Sequence, residues 1–248
     1  MTEPLRIAMW SGPRNLSTAL MRSWGNRDDT VVSDEPLYAH YLRRSGADHP
    51  GRAEILAALD DDWRRVAAVL CGPVPDGRHI WYQKHMTHHV TSDVALDWLD
   101  DLRNCFLVRR PAQVINSYAR VRSDPDLADL GLPQQWRLFT YVRDRTGAQP
   151  VVVDADDLLR DPPGMLRALC AALGVGFSER MLWWPPGPRA TDGVWARHWY
   201  GAVERSTGFA PYRPRDDAVP ARFADLLAAA DELYDRMAEH RLTARVHP

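Results

Sequence analysis

From Ser11 to Thr18 the chain reads Ser-Gly-Pro-Arg-Asn-Leu-Ser-Thr, a stretch whose residue types suit the binding of an anion. At the start of a helix, Gly12, Pro13, Arg14, Asn15, Leu16, Ser17 and Thr18 bring successive backbone N–H groups to one point. Ser17 and Thr18 add hydroxyl donors, and Arg14 adds a fixed positive charge. Each charge-assisted contact of this kind contributes about 1.5–3 kcal/mol. The plainer reading is a strand-to-helix turn with a Ser/Thr cap. The stretch is not the nucleotide-triphosphate loop GxxxxGK[ST]. It has no Gly-Lys pair, so nothing reaches the β- and γ-phosphates and hydrolysis of ATP or GTP is disfavoured.

A second stretch, Phe106 to Tyr118 (FLVRRPAQVINSY), places Arg109 at the end of an apolar run. Pro111 then opens a helix, and Ser117 follows about two turns on. Arg109 and Ser117 so spaced would be able to grip one phosphate from two sides, although a solvated arginine pair beside a helical serine is the simpler account of this stretch alone. A third, Lys84-His85-Met86-Thr87-His88-His89, invites a metal reading. His85 and His88 would share a helical face and hold zinc with a third ligand. No HExxH pattern or cysteine partner accompanies them, and no metal is expected.

The elements that must position these residues read as strands alternating with helices. Leu5 to Trp10, Thr30 to Ser33, His79 to Gln83, Cys105 to Val108 and Pro150 to Val153 are short apolar runs, several of them ended by Gly, Pro or acidic residues. Helices are expected at Ser17 to Trp24, Ala53 to Leu70, Ala112 to Val121, Pro163 to Leu173 and Ala221 to His240. Gly174 suits a left-handed C-terminal cap. Strands separated by helices predict an α/β fold, three layers with a mostly parallel sheet covered on both faces. In such a sheet ligands bind outside the carboxyl ends of the strands, which is where the first two stretches fall. With neither a repeat nor a disordered linker in view, residues 1–248 are expected to form one domain.

Composition narrows the function classes. The net charge of −2, with Arg far outnumbering Lys, argues against a nucleic-acid binder and for a local anion cluster. Cys71, Cys105 and Cys170 are odd in number and widely spaced, as expected of reduced thiols in a cytoplasmic protein. No apolar run approaches the roughly 18 residues of a membrane span, and no signal pattern opens the chain.

Pro13-Arg14-Asn15-Leu16-Ser17-Thr18-Ala19-Leu20 resembles the 5′-phosphosulfate loop of the sulfotransferases that use 3′-phosphoadenosine 5′-phosphosulfate (PAPS), where Pro-Lys/Arg-Ser-Gly-Thr-Thr is usual. Arg109, Pro111 and Ser117 resemble the family's 3′-phosphate motif, RxPxxxxxS, with matching spacing. Val153 to Pro162, continued by Leu169 and Ala172 to Val175, is similar to its "YEDL…DP…FLG" segment. The three matches run in family order over about residues 5 to 176. Asn15-Leu16 departs from Ser-Gly and removes a glycine at a close approach. The adenosine-binding Lys-Gly-x-x-Gly is not plain; Thr191 to Trp195 with Arg189 or Arg197 stands nearest to it. The dimer motif KxxxTVxxxE is absent, so the oligomeric state is open.

The resemblance implies a nucleotide-binding fold of the P-loop type and transfer of a sulfuryl group from PAPS to a hydroxyl or amine of a small molecule. Such transfer passes in line through a loose transition state, so positioning and charge stabilisation carry the catalysis. Arg14 would stabilise the leaving phosphate oxygen. The base would be Glu35, which follows the second strand as a catalytic Glu does in some branches, or His85, one position out of register with the family's Lys-Thr-His. The rivals are a nucleotide or nucleoside kinase-like enzyme and a non-catalytic binder of PAPS or its desulfated product (PAP). A third alternative is that sulfation serves only to create a leaving group for a later elimination or cyclisation. The acceptor pocket is expected among His40 to Pro50, Arg122 to Pro133 and Trp183-Trp184.

Overall fold

A computed structural model describes residues 3–120, 122–214 and 218–244. In chain order the main elements are β1 (Leu5–Ser11), α1 (Ser17–Gly25), β2 (Thr30–Asp34), α2 (Tyr38–Ser45), α3 (Arg52–Ala58), α4 (Trp63–Leu70), β3 (Ile80–Met86) and β4 (Arg103–Val108). They continue with α5 (Pro111–Tyr118), α6 (Leu132–Thr146), β5 (Val151–Asp154), α7 (Ala155–Arg160), α8 (Pro162–Leu173), α9 (Ala196–Trp199), α10 (Gly201–Glu204) and α11 (Ala224–Ala238). The strands form one sheet in the order β2-β3-β1-β4-β5, and every pairing is parallel. This is the α/β arrangement the alternation of elements predicts.

Both faces of the sheet are covered, so its central strands are apolar on both sides. Ile7 and Met9 of β1 face a core shared with α1, α2 and α8, while Ala8 and Trp10 face a second core built with α4, α6 and α11. Removing each such large side chain from water contributes about 1.5–3 kcal/mol. A third, smaller cluster joins α5 to α11. Asp154 caps α7 through the Asp156 and Asp157 amides, Asp161 caps α8, and Gly174 ends α8 at φ 72°.

Several boundaries differ from the sequence reading. The helix expected over Ala53 to Leu70 is two, because Leu59 turns extended and Asp62 caps a new helix by accepting from the Arg64 amide. The helix expected to reach Val121 ends at Tyr118 by its described residues, and Val121 itself lies outside them. The final helix starts at Ala224, after a 3-10 turn at Ala221–Phe223. The sequence reading has no counterpart to α6. Pro133 there occupies the first turn, where a missing N–H costs nothing, and Gly131 precedes the helix at φ 72°. Strand β3 runs on to Met86, three residues beyond the expected end.

Candidate active site

The chain departs from β1 to one side of the sheet for β2 and β3 and returns to the other for β4 and β5. A crevice opens where the direction changes, outside the strand ends. A cavity of about 350 Å3 lies there. The turn after β1 forms its floor. Arg14 and Leu16 both take left-handed backbone conformations, φ 61° and 69°, which cost a residue with a Cβ about 1–2 kcal/mol each. No side chain caps the first turn of α1, so its amides face the cavity side without a partner of that kind.

Pro13, Arg14, Asn15, Leu16, Ser17 and Thr18 all line the cavity. Gly12 does not. It sits beneath the turn, where an added Cβ would lie 2.2 Å from the Leu130 carbonyl oxygen, so the residue is set by a close backbone approach. Asn15 is buried, and its amide lies 3.4 Å from the Leu107 carbonyl.

The end of β4 meets this turn directly. Arg109 donates to the Arg14 carbonyl at 2.8 Å and to Gln113 at 2.9 Å, while the Arg14 guanidinium donates to the Ser117 hydroxyl at 2.9 Å. Both arginines and Ser117 line the same cavity. Two stretches about 95 residues apart thus offer two guanidinium groups, hydroxyls and backbone amides to one space.

The β2 end supplies an acid. Parallel pairing sets Asp34 opposite Lys84, and Glu35 follows at φ 44° with its amide bonded to the Lys84 carbonyl at 2.9 Å. Lys84 is 1% exposed. Its ammonium donates to Asp34 at 2.8 Å, to Tyr200 at 2.8 Å and to Glu35, which accounts for all three donors. Burial opposes the charge, but Asp34 and Glu35 outweigh it and hold the ammonium well above its ordinary range. Burial also pushes the Glu35 carboxyl up; Lys84 pulls it back and Asp34 adds to the rise. A raised carboxyl is a stronger base once ionised. Tyr200 donates to Asp34 at 2.7 Å, and Asp34 also accepts from the Gly193 amide at 3.2 Å.

His85 corrects the sequence expectation. Successive residues of a strand face opposite sides, so with Lys84 turned to the cavity His85 turns to the far core. There it stacks on Trp10 with ring centroids 4.2 Å apart and meets Gln83 at 3.3 Å. It does not line the cavity. Burial, with Lys84 nearby, lowers it to about 3, so it stays neutral. The zinc pairing weighed for His85 and His88 loses its shared face for the same reason. Among the described residues no group of three or more His, Cys, Asp or Glu has metal-holding geometry.

His88 and His89 do line the cavity. Burial lowers His88 to about 3 and takes His89 well below its ordinary value. His89 stacks on Tyr38 and Tyr41, with centroids 4.5 and 4.9 Å apart. Tyr38 is fixed by a 2.8 Å hydrogen bond to His49. Of the expected pocket walls, His40 to Pro50 contributes His49. Neither Arg122 to Pro133 nor Trp183-Trp184 lines this cavity. Arg189 and Thr191 border another cavity beside β2, and Asp192 is locked to Arg22 in a buried two-point ion pair at 2.6 and 2.7 Å.

The sequence reading gives no role at this cavity to Lys84, His89 or Tyr200, and weighs His88 only as a zinc ligand. Lys84 carried a signal, being the one lysine among 31 Lys and Arg residues. Tyr200 carried none, since it arrives from a distant segment of irregular structure.

The profile of the family described as "Sulfotransferase domain" matches residues 5–241. Two Arabidopsis thaliana proteins, branched-chain-amino-acid aminotransferase-like proteins 1 and 2, are 36% and 33% identical over 97% and 94% of this chain. The chain spans 43% and 41% of their lengths, so those names belong to much longer proteins. The sulfotransferase domain of the Synechococcus olefin synthase superimposes with a TM-score of 0.60 at 22% identity, over 96% of each chain. A sulfotransferase from Alicyclobacillus acidocaldarius gives 0.51 at 14% identity, over 98% of each. At these identities the likeness speaks for the fold.

Proposed function

The chain belongs to the sulfotransferase-domain family, and on that premise we propose that it moves a sulfuryl group from PAPS to a hydroxyl or amine of a small-molecule acceptor. The observation that carries the reading is the meeting of Arg14, Arg109 and Ser117 at one strand-end crevice, with Glu35 on the same cavity. PAPS carries anionic groups at both ends of its ribose, and this donor set fits them chemically. The turn Pro13 to Thr18 takes the 5′-phosphosulfate. Arg109 and Ser117 take the 3′-phosphate.

In the transfer, the acceptor atom forms a bond to sulfur while the bond from sulfur to the 5′-phosphate oxygen breaks, leaving its electron pair on PAP. Arg14, which stays protonated, stabilises that developing charge without giving up a proton. Glu35 takes the proton of the acceptor. Lys84 fixes one carboxylate oxygen of Glu35 and directs the other at the cavity. No step in this reading needs a metal.

Calorimetry with PAP, followed by PAPS turnover with an acceptor panel and mass spectrometry, tests the proposal. Binding of PAP and gain of a sulfo group on the acceptor are expected. A protein that ignores PAP at millimolar concentration overturns the assignment, and one that binds it without any turnover is a binder only. Loss of the sulfo group with formation of a double bond would identify sulfation as the activating step of an elimination.

A further inference from the structure

Lys84 engages one of the two carboxylate oxygens of Glu35. Oε1 holds the ammonium, while Oε2 faces the His89 ring, whose Nε2 stands 4.0 Å away. That gap is too long for a direct hydrogen bond, yet a single oxygen atom fits within about 2.8 Å of both. Both side chains line the cavity.

The other edge of the His89 ring is closed. Nδ1 is buried and has no hydrogen-bond partner, and the ring is pinned by Tyr38 and Tyr41. A neutral imidazole has one N–H and one bare lone pair. A proton on Nδ1 would be buried unpaired and would turn the Nε2 lone pair toward a carboxylate. A proton on Nε2 points instead at the negative oxygen. The Glu35 carboxylate therefore selects the Nε2–H tautomer and makes His89 a donor at the cavity wall.

We propose that His89 and Glu35 clamp one acceptor oxygen between them and so select a hydroxyl over an amine. This rests on the sulfotransferase reading and narrows it. The hydroxyl accepts from His89 Nε2–H and gives its own proton to Glu35 Oε2. Its oxygen bonds to sulfur as the bond from sulfur to the 5′-phosphate breaks. A primary amine is an ammonium near neutral pH, with donors and no lone pair, so it satisfies Glu35 but sets N–H against N–H at His89. The nearby faces are the side chains of Tyr38, Met86 and His88, which favour an uncharged, apolar body behind the hydroxyl. The acceptor class is an apolar alcohol or phenol.

The test uses matched pairs with PAPS, 2-phenylethanol against 2-phenylethylamine and cyclohexylmethanol against cyclohexylmethylamine, with sulfated product read by mass spectrometry. Wild type is expected to prefer the alcohols. His89→Phe keeps the ring and loses the donor, and should lower kcat/KM for alcohols roughly 10- to 100-fold, the equivalent of one hydrogen bond. His89→Gln, with an N–H near the Nε2 position, should recover most of it. All three proteins should bind PAP within about twofold of each other, since the 5′-phosphate contacts lie elsewhere. Nitrogen-15 NMR of histidine-labelled protein should show the Nε2–H tautomer at His89. An Nδ1–H tautomer, equal rates with amines, no transfer to either class, or an indifferent His89→Phe overturns the clamp. Loss of PAP binding in wild type overturns the wider reading along with it.

Discussion

At residue scale the unusual group is Lys84, a buried ammonium with every donor used. Removing one partner of a buried ion pair strands the others, at a cost of about 3–5 kcal/mol. Lys84→Met is therefore expected to shift the urea midpoint strongly downward, by leaving Asp34 and Glu35 side by side without their cation; an unchanged midpoint would show the cluster hydrated. Because the chain has a single lysine, its Nζ gives one resonance in lysine-labelled protein. That signal should stay in the ammonium form past the ordinary lysine pKa, since the folded-state value is raised. Stability from this pair is then fully present below the unfolded pKa and lost only as pH rises through the folded one. Glu35→Gln removes the base but keeps shape, so kcat/KM should fall roughly 10²- to 10⁴-fold with PAP affinity retained. Full activity in that variant would move the base elsewhere.

Strands and loops decided how much of this could be read in advance. Short apolar runs bounded by turn formers identify all five strands, and parallel topology puts Arg14 and Arg109 at the same end of the sheet, where the pairing of β1 with β4 brings them together. The side of β3 was not legible, because the strand continues through Lys84, His85 and Met86, whose polar types do not resemble a buried strand. Once they are strand, alternation alone excludes His85 from the cavity. Helix α6 was hidden by Pro133, which reads as loop when its place in a first turn is not considered. Tyr200 depends on tertiary packing. The segment after Trp184 is held to α1 by Arg22 and Asp192, both nearly inaccessible at 3% and 4% side-chain exposure, and to β2 by the Gly193 amide on Asp34. Arg22→Met should cost about 3–5 kcal/mol by leaving Asp192 buried and unpaired, and should lower turnover as Tyr200 loosens from Lys84. Pairing it with Asp192→Leu should restore much of the stability. If the double variant is no better than the single one, the pair is not what anchors the segment.

For the molecule as a whole, the consequence of packing so many imidazoles inside is a stability that depends on pH. Burial opposes the charged ring in each case, lowering His85 and His88 to about 3 when folded and taking His89 well below its ordinary value. In the unfolded chain they titrate near 6.5. Between those values the unfolded state holds more protons, so stability must rise with pH, by about 1.4 kcal/mol per pH unit for each imidazole that is neutral when folded and charged when unfolded. The stabilising difference is fully present above about pH 6.5 and is lost as pH falls toward 3. Glu35, Asp129 and Asp154 act in the opposite sense, since burial raises their carboxyls and the folded state takes up their protons first. The total slope therefore mixes both groups, and a difference between variants isolates one of them. His85→Phe preserves the stack on Trp10 while removing one titrating ring from the far core, away from the cavity. Unfolding in urea between about pH 4.5 and 5.5 should then show a slope shallower than wild type by about 1.4 kcal/mol per pH unit. An identical slope would require His85 to protonate in the folded protein, which its burial between Trp10 and Trp98 opposes.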